Sequence, residues 1–126
     1  MADYKRLEVW QKAHATALEC HKATTRIRNF EYLSLKSQIN RSAFSVPTNI
    51  VEGNGQASRK EFIRFLRISV NSSNELEYHL VVARDLRLLP DDELDTLVSN
   101  VCEVRKMIYG LIRYLQGPPK NPSSGA

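Results

Sequence analysis

Apolar residues recur at three- and four-residue steps along almost the whole chain, a pattern that predicts amphipathic α-helices. Four such runs are separated by short polar or glycine- and proline-containing segments. They predict helices over about residues 5–26, from Tyr32 to the glycines at 53 and 55, over about 58–87, and from Pro90 to Gly117. No stretch alternates as a half-buried strand does, so the pattern indicates an all-α fold.

Each predicted helix has one main apolar face. The face of the first comprises Leu7, Trp10, His14, Ala17, Leu18, His21 and Thr25. That of the second comprises Tyr32, Leu35, Ile39, Ala43, Val46 and Ile50. On the third it comprises Phe62, Phe65, Leu66, Ser69, Ser72, Ser73, Leu76, Leu80 and Ala83. The fourth carries Leu94, Leu97, Val101, Val104, Ile108, Leu111 and Leu115.

Two of the helices carry a second, narrower apolar line beside the main face. On the first helix the line is Val9, Ala13 and Cys20, and on the third it is Ile63, Val70 and Val81. A lone bundle needs only one apolar face per helix, and exposed apolar patches usually mark a partner surface. These six residues are therefore the predicted oligomer interface, and pairing of two different patches closes into a ring when the rotation permits.

The connection between the second and third helices contains several residues that indicate local backbone structure. Pro47 lies inside the second helix and is expected to kink or split it near residues 43–46, because proline lacks an N–H group. Gly53 and Gly55 suit a helix end, since glycine adopts the left-handed conformation freely. Ser58 and Glu61 match a capping box at the start of the third helix.

Four amphipathic helices joined by short loops predict an antiparallel up-down-up-down four-helix bundle. Its single domain covers residues 1–116, and residues 117–126 form a polar tail expected to be flexible. With 42% hydrophobic and 25% charged residues, the composition is that of a globular chain. No apolar run is long enough to span a membrane. Cys20 and Cys102 have no CxxC spacing, so free thiols and a cytoplasmic location are expected.

Candidate chemistry is sparse. Along one helix, His14 and His21 would lie about 10 Å apart, too far to share a metal ion. Glu75 and His79 have i, i+4 spacing but lack a third ligand, and a Glu-x-x-His motif is absent. The turn around Gly53 and Gly55 follows no strand and has no phosphate-loop motif. The sequence thus predicts no enzyme, cofactor, metal site or small-molecule substrate.

The net charge of +4 and pI near 9.2 permit an anionic partner. Opposite the core face of the third helix, Lys60, Arg64 and Arg67 share a narrow arc with Asn71, and Arg59 and Arg41 extend the basic set. A solvated charged face is the simpler interpretation. The alternative is a stripe that follows the phosphates of RNA or DNA.

Several segments resemble one bacterial family, the 23S rRNA intervening-sequence proteins, also called four-helix-bundle proteins. The resemblance covers about residues 4–116. It lies in segments 7–13, 35–43 and 61–66, in Glu75-Leu76-Glu77, and above all in Ser45-Val46-Pro47-x-Asn49-Ile50-Val51-Glu52-Gly53. The chain departs from the family pattern at Gln56, where arginine is common, and at Asn71, where glycine is common.

The resemblance implies a four-helix bundle that assembles with itself as a ring, typically a pentamer. A similar-looking fold serves diversity-generating retroelements as an accessory protein that engages nucleic acid. Within the shared motif, Asn49 and Glu52 are interpreted as structural residues that satisfy backbone donors freed near Pro47 and Gly53. The leading hypothesis is a non-enzymatic ring with a basic nucleic-acid surface, and the alternative is a protein-interaction scaffold that binds no nucleic acid.

Overall fold

A computed structural model describes residues 3–118 of the chain, and within them the secondary structure is helical throughout, with no strand. The four long helices are α1 (Glu8–Thr25), α2 (Leu33–Asn54), α3 (Arg59–Asp85) and α4 (Asp91–Gln116). Short 3-10 turns at Tyr4–Arg6 and Phe30–Tyr32 precede α1 and α2. The predicted all-α fold with four helices is confirmed. The predicted tail begins at residue 117, and its part from position 119 onward lies outside the described residues.

The core consists of two clusters, one toward each end of the helices. One cluster comprises Ala17, Cys20, Ala23, Ile39, Ala43, Leu76, Leu80, Ala83, Leu94, Leu97 and Val101. The other comprises Val9, Ala13, Val46, Ile50, Phe62, Leu66, Val70, Val104, Ile108 and Ile112. Every long helix contributes to both clusters, and α1 packs against α4 as well as against α2. The four helices therefore pack around both clusters.

The buried face of α1 differs from the predicted one. Its buried residues are Val9, Ala13, Thr16, Ala17, Cys20, Ala23 and Thr24. The larger side chains of Trp10 and His14 are half-buried at the edge, and Leu18 and His21 are exposed. The predicted face of α1 was centred on its bulky residues. The bundle instead buries the small residues of α1, which let this helix approach its neighbours closely. The predicted faces of α2, α3 and α4 are correct in most positions.

Helix α2 runs without a break through Pro47, so of the two predicted outcomes the split is wrong. Polar side chains supplement the local hydrogen bonding. Ser69 of α3 donates to the Val46 carbonyl at 2.8 Å, and Asn49 donates through Nδ2 to the Ser45 carbonyl at 2.8 Å. Asn49 is thus structural, although it satisfies an acceptor and not a freed donor. Glu52 is exposed, and its carbonyl accepts from the Gln56 side chain at 3.0 Å. The kink at Pro47 stays a prediction.

The glycines at the end of α2 act differently from the prediction. Gly55 caps the helix with a φ of −81°, and Gly53 lies inside the helix, so neither uses the left-handed conformation. A Cβ atom at Gly53 would lie 2.8 Å from Phe62 Cδ1 and 3.1 Å from the Phe62 carbonyl oxygen. Gly53 is therefore needed for close packing of α2 against α3. A left-handed residue does follow α3, but it is Arg87, with a φ of 58°.

The start of α3 agrees with the prediction in part. Ser58 has an extended backbone, and its Oγ accepts from the Glu61 backbone N–H at 3.1 Å. The Glu61 carboxylate pairs with Arg64 Nε at 3.0 Å, where the capping box predicts a bond back to Ser58. The serine cap fixes the point at which α3 begins, and hence the direction of the basic residues that follow.

Candidate nucleic-acid interface

The basic residues predicted on α3 lie on an exposed stripe that is longer than the sequence indicated. At 100° per residue, six positions fall within an arc of about 80°. All six side chains are exposed: Lys60, Arg64, Arg67, Asn71, Asn74 and Tyr78, which we call the α3 stripe. The stripe combines three cations, two amides and one aromatic ring, so it offers charge, hydrogen bonding and a stacking surface on one helix.

Two of the stripe's cations, and Arg59 beside them, are free of ion pairing. Arg59, Lys60 and Arg67 have no carboxylate within 4.0 Å in residues 3–118. Arg64 is paired with Glu61, and its guanidinium carbon lies 4.5 Å from the centroid of the Phe65 ring. Unpaired cations can exchange their counterions for phosphates. Arg64 is held in a defined position between a carboxylate and a ring.

Arg41, which was predicted to contact phosphates, is ion-paired within the chain. It lies on α2, and its guanidinium donates to Glu75 Oε1 of α3 at 2.6 Å and to Gln38 Oε1 at 2.9 Å. His79 Nε2 lies 3.6 Å from the same Glu75 oxygen. Glu75 borders the α3 stripe, so Arg41 neutralises a carboxylate that would otherwise repel phosphates there. Arg41 thus supports the stripe indirectly.

The cations at the start of α3 lie at the positive end of the helix dipole. Arg59 and Lys60 occupy its first turn, where positive charge is unfavourable by about 0.3–1 kcal/mol each. Glu61 and the Ser58 cap offset part of that effect. The first turn therefore carries more positive charge than helix stability favours, which is a reason to consider an anionic ligand.

The predicted oligomer interface is wrong for four of its six residues. Val9, Ala13, Cys20 and Val70 are only 6%, 2%, 0% and 5% exposed and belong to the core of the single chain. They are buried because the helices are rotated toward these small side chains, as described for α1. Ile63 and Val81 are half-buried, so they alone of the six keep accessible surface.

A different apolar surface on α1 was assigned to the core by the sequence pattern. Trp10, His14, Leu18 and His21 form this α1 strip, along the side of α1 that meets α2. The Trp10 and His14 rings stack with centroids 4.8 Å apart, and His21 lies edge-on to Phe44 of α2 at 6.4 Å. Leu18 is 39% exposed. Each of the two histidines packs against an aromatic ring.

A polar cluster joins α3 to α4 beside Tyr78. Arg105 pairs with Glu77 and donates through Nε to Ser73 Oγ at 3.1 Å, and Cys102 Sγ lies 3.7 Å from Glu77 Oε1. Burial, followed by the nearby Glu77 carboxylate, raises the pKa of the Cys102 thiol. Sequence reasoning missed this cluster because its members are about 30 residues apart and match no motif.

The described residues offer little for covalent or metal chemistry. Burial, followed by Glu19, raises the pKa of the Cys20 thiol to about 12, so it stays protonated at neutral pH. Within residues 3–118, no group of three histidine, cysteine or carboxylate side chains could hold a metal ion. In the same range, no helix is both long and apolar enough to cross a bilayer.

Comparison with known proteins gives a consistent result at the level of family and fold. The model of a family described as 23S rRNA-intervening sequence protein matches residues 5–110. The structure is similar to a crystal structure of a protein with unknown function from the S23 ribosomal protein family of Bacteroides thetaiotaomicron, with a TM-score of 0.78 and 24% identity. The alignment covers 83% of this chain and 98% of that one. No curated protein matches the chain in sequence.

Proposed function

Because the chain belongs to the 23S rRNA-intervening sequence protein family, as its sequence motifs suggested, we propose that it is a non-enzymatic helical-bundle protein that binds RNA or DNA through the α3 stripe. The main support is the exposure of Lys60 and Arg67, which together with Arg59 lack carboxylate partners in the described residues. If this face only contacted solvent, acidic residues between the cations would stabilise it by forming ion pairs such as the one between Glu61 and Arg64. Neither the family's description nor that of the similar structure names an enzymatic activity.

The direction of the helices follows from the membership of the two clusters. One cluster combines the first half of α1 with the second half of α2, and the first half of α3 with the second half of α4. The other cluster combines the complementary halves. Arg26, just after α1, also donates to Glu93 in the first turn of α4 at 2.9 Å. These pairings support an up-down-up-down antiparallel bundle, in which Pro47 introduces a local bend.

Self-assembly as a ring, and as a pentamer in particular, is the second part of the proposal. It is supported by the family resemblance and by the α1 strip, whose partly exposed Trp10 and exposed Leu18 lie on one side of α1 and offer apolar surface to a second copy. The half-buried Ile63 and Val81 add apolar surface on α3. The unpaired cysteines Cys20 and Cys102 fit a reducing, cytoplasmic compartment.

Nucleic-acid binding is tested by its dependence on salt. Fluorescence anisotropy with labelled RNA and DNA oligonucleotides should show affinity that falls steeply with salt concentration. Replacing Lys60, Arg64 and Arg67 with glutamine should weaken binding to all sequences alike. The slope of log K against log salt should decrease by about 0.7–0.9 for each lost phosphate contact.

The matched control removes three charges elsewhere. Lys5, Lys22 and Lys106 are exposed and lie off the stripe, so their replacement with glutamine changes the net charge equally. This control should retain most of the affinity. Equal loss in both triple variants would indicate a general charge effect, and no binding by the wild-type protein at low salt would favour the protein-scaffold alternative.

A further inference from the structure

A shallow open recess lies between α3 and α4 at the far end of the α3 stripe. It is lined by Asn74, Glu77, Tyr78, Val81 and Arg105, and has a volume of ≈ 290 Å³. Tyr78 forms one side and is 65% exposed. Its ring lies 5.9 Å from that of His79, which limits the directions it can take. The recess therefore combines one accessible aromatic face with a polar lining.

The Arg105 and Glu77 side chains of the recess are held in place by hydrogen bonds within the protein. The ion pair of Arg105 with Glu77 has side chains only 20% and 34% exposed. The bond from Arg105 Nε to Ser73 Oγ, at 3.1 Å, anchors the guanidinium to α3. Asn74 supplies an exposed amide with both donor and acceptor atoms. A ligand with a mixed donor and acceptor edge would find complementary groups here without reorganising them.

The recess is continuous with the cationic part of the α3 stripe. Asn74 and Tyr78 belong both to the stripe and to the recess lining. Lys60 and Tyr78 occupy the same angular position five helical turns apart, about 27 Å along the axis. A single extended ligand could therefore contact Lys60 and Arg67 and also enter the recess.

We propose that the recess receives an unpaired base of single-stranded RNA or DNA, stacked on Tyr78, while Lys60 and Arg67 contact the phosphates. The inference rests on the proposed nucleic-acid function and specifies its substrate class. Every base has a flat face that stacks on an aromatic side chain, and phosphates are followed by cations. Asn74 and the Arg105–Glu77 pair meet the polar edge of the base.

A base within a duplex does not fit this arrangement. Its Watson–Crick edge is paired and its faces are stacked on neighbouring bases, so neither reaches a recess on the flank of a helix pair. An apolar protein segment is disfavoured as well, because it would cover the Arg105–Glu77 pair and the Asn74 amide without giving them new hydrogen bonds. The chemistry of the recess matches a flat, polar-edged group attached to an anionic backbone.

The test compares single-stranded and duplex probes and varies Tyr78 alone. Labelled oligouridine, oligothymidine and a duplex of mixed sequence are titrated against the full-length protein and its variants at one fixed salt concentration. Tyr78→Ala should lower the affinity for both single strands by roughly 5- to 150-fold through loss of stacking. Tyr78→Phe keeps the ring and should bind as the wild type does.

The salt dependence separates this role from the charge contacts. Tyr78→Ala removes no charge, so the slope of log K against log salt should be unchanged. Tyr114→Ala removes an equally exposed tyrosine that lies on α4, away from the stripe, and should have no effect. Circular dichroism should show native helix content in all three variants, because both side chains are exposed.

Two results would overturn the inference. One is wild-type affinity in Tyr78→Ala together with a steep salt dependence that needs Lys60, Arg64 and Arg67, in which case the proposed function stands without the recess. The other is tighter binding of the duplex than of either single strand. If the wild-type protein binds none of the probes at low salt, the proposed function itself fails. Oligodeoxyuridine differs from oligouridine only in lacking the 2′-OH, so comparing these two strands identifies RNA or DNA as the preferred strand.

Discussion

Gly53 allows α2 to approach α3 closely because it has no side chain. Its missing side chain leaves room for the Phe62 ring, and Phe65 Cβ would lie 3.0 Å from an added Cβ atom. Backbone and Cβ atoms cannot rotate away as the end of a flexible side chain can. At the residue scale, the contact between α2 and α3 therefore depends on this position.

Gly53→Ala should destabilise the protein by about 1–3 kcal/mol, because overpacking outweighs the gain in helix propensity. The matched control is Gly110→Ala in α4, where the added Cβ would lie 3.8 Å from Arg113 Nη2. That variant should be more stable than the wild type by about 0.5–1 kcal/mol. Urea-induced unfolding followed by circular dichroism measures both values. Equal effects of the two substitutions would show that packing at Gly53 is not limiting.

At the scale of secondary-structure elements, α3 carries a buried face that packs in the core and an exposed face that carries the α3 stripe. Its core face packs against α2 and α4, with Ser69, Ser72 and Ser73 buried where bulkier residues would separate the helices. Ser45 Oγ and Ser72 Oγ lie 2.7 Å apart, so a polar contact also links α2 with α3. The opposite face carries the α3 stripe. Since the two faces do not share residues, the surface can be altered without disturbing the core.

The first turn of α3 gives a prediction that separates stability from binding. Replacing Arg59 and Lys60 with glutamine removes two cations from the positive end of the helix dipole. The free energy of unfolding should rise by about 0.3–1 kcal/mol per residue, as measured by urea-induced unfolding at low salt. Nucleic-acid affinity should fall in the same variant, because phosphate contacts are lost.

A stabilised variant with reduced affinity would indicate that these cations are retained for binding. If stability decreased instead, Arg59 and Lys60 would have to make favourable interactions that outweigh the dipole term. Exposed cations of α4 provide the comparison. Arg113 lies in the last turn of α4, where positive charge is favourable, so Arg113→Gln should lower stability slightly.

At the scale of the whole molecule, the proposed self-assembly needs an exposed apolar surface. The residues first predicted as the interface are mostly interior, so a charge at Ala13 or Val70 would unfold the chain and reveal nothing about assembly. The α1 strip is a better place to test, because Leu18 is 39% exposed and its replacement leaves the core intact.

Light scattering of the wild-type protein at micromolar concentration should give a mass that is a multiple of the 14.4 kDa subunit, five-fold for the proposed ring. Leu18→Glu should reduce that mass while helix content is maintained, because a charge in an apolar contact is costly to desolvate. Ser99→Glu, at an exposed position of α4, serves as the control and should leave the mass unchanged. A monomeric wild type would contradict self-assembly, and a dimer would contradict the ring.

Local patterns in the sequence are enough to predict the four helices, the positions of the connections between them and the family. Three- and four-residue periodicity is local, so it located all four helices, and the buried face of α4 was predicted at Leu94, Leu97, Val101, Val104 and Ile108. The Ser58 cap is local as well, because donor and acceptor are three residues apart. The exposure of Lys60, Arg64 and Arg67 also followed from the wheel, since they lie opposite a well-defined core face.

Sequence patterns could not predict the rotation of α1, the packing role of Gly53 or the surroundings of Tyr78, because these depend on the tertiary structure. A helical wheel predicts burial from hydrophobicity alone, whereas burial in the bundle also depends on side-chain size. The alanines of α1 and Cys20 are therefore buried, and Trp10 lies at the edge. The Gly53 contact with Phe62, the Arg41 pair with Glu75 and the Arg105 pair with Glu77 each join two helices. Such contacts depend on the relative placement of helices, which no periodicity within one helix can specify.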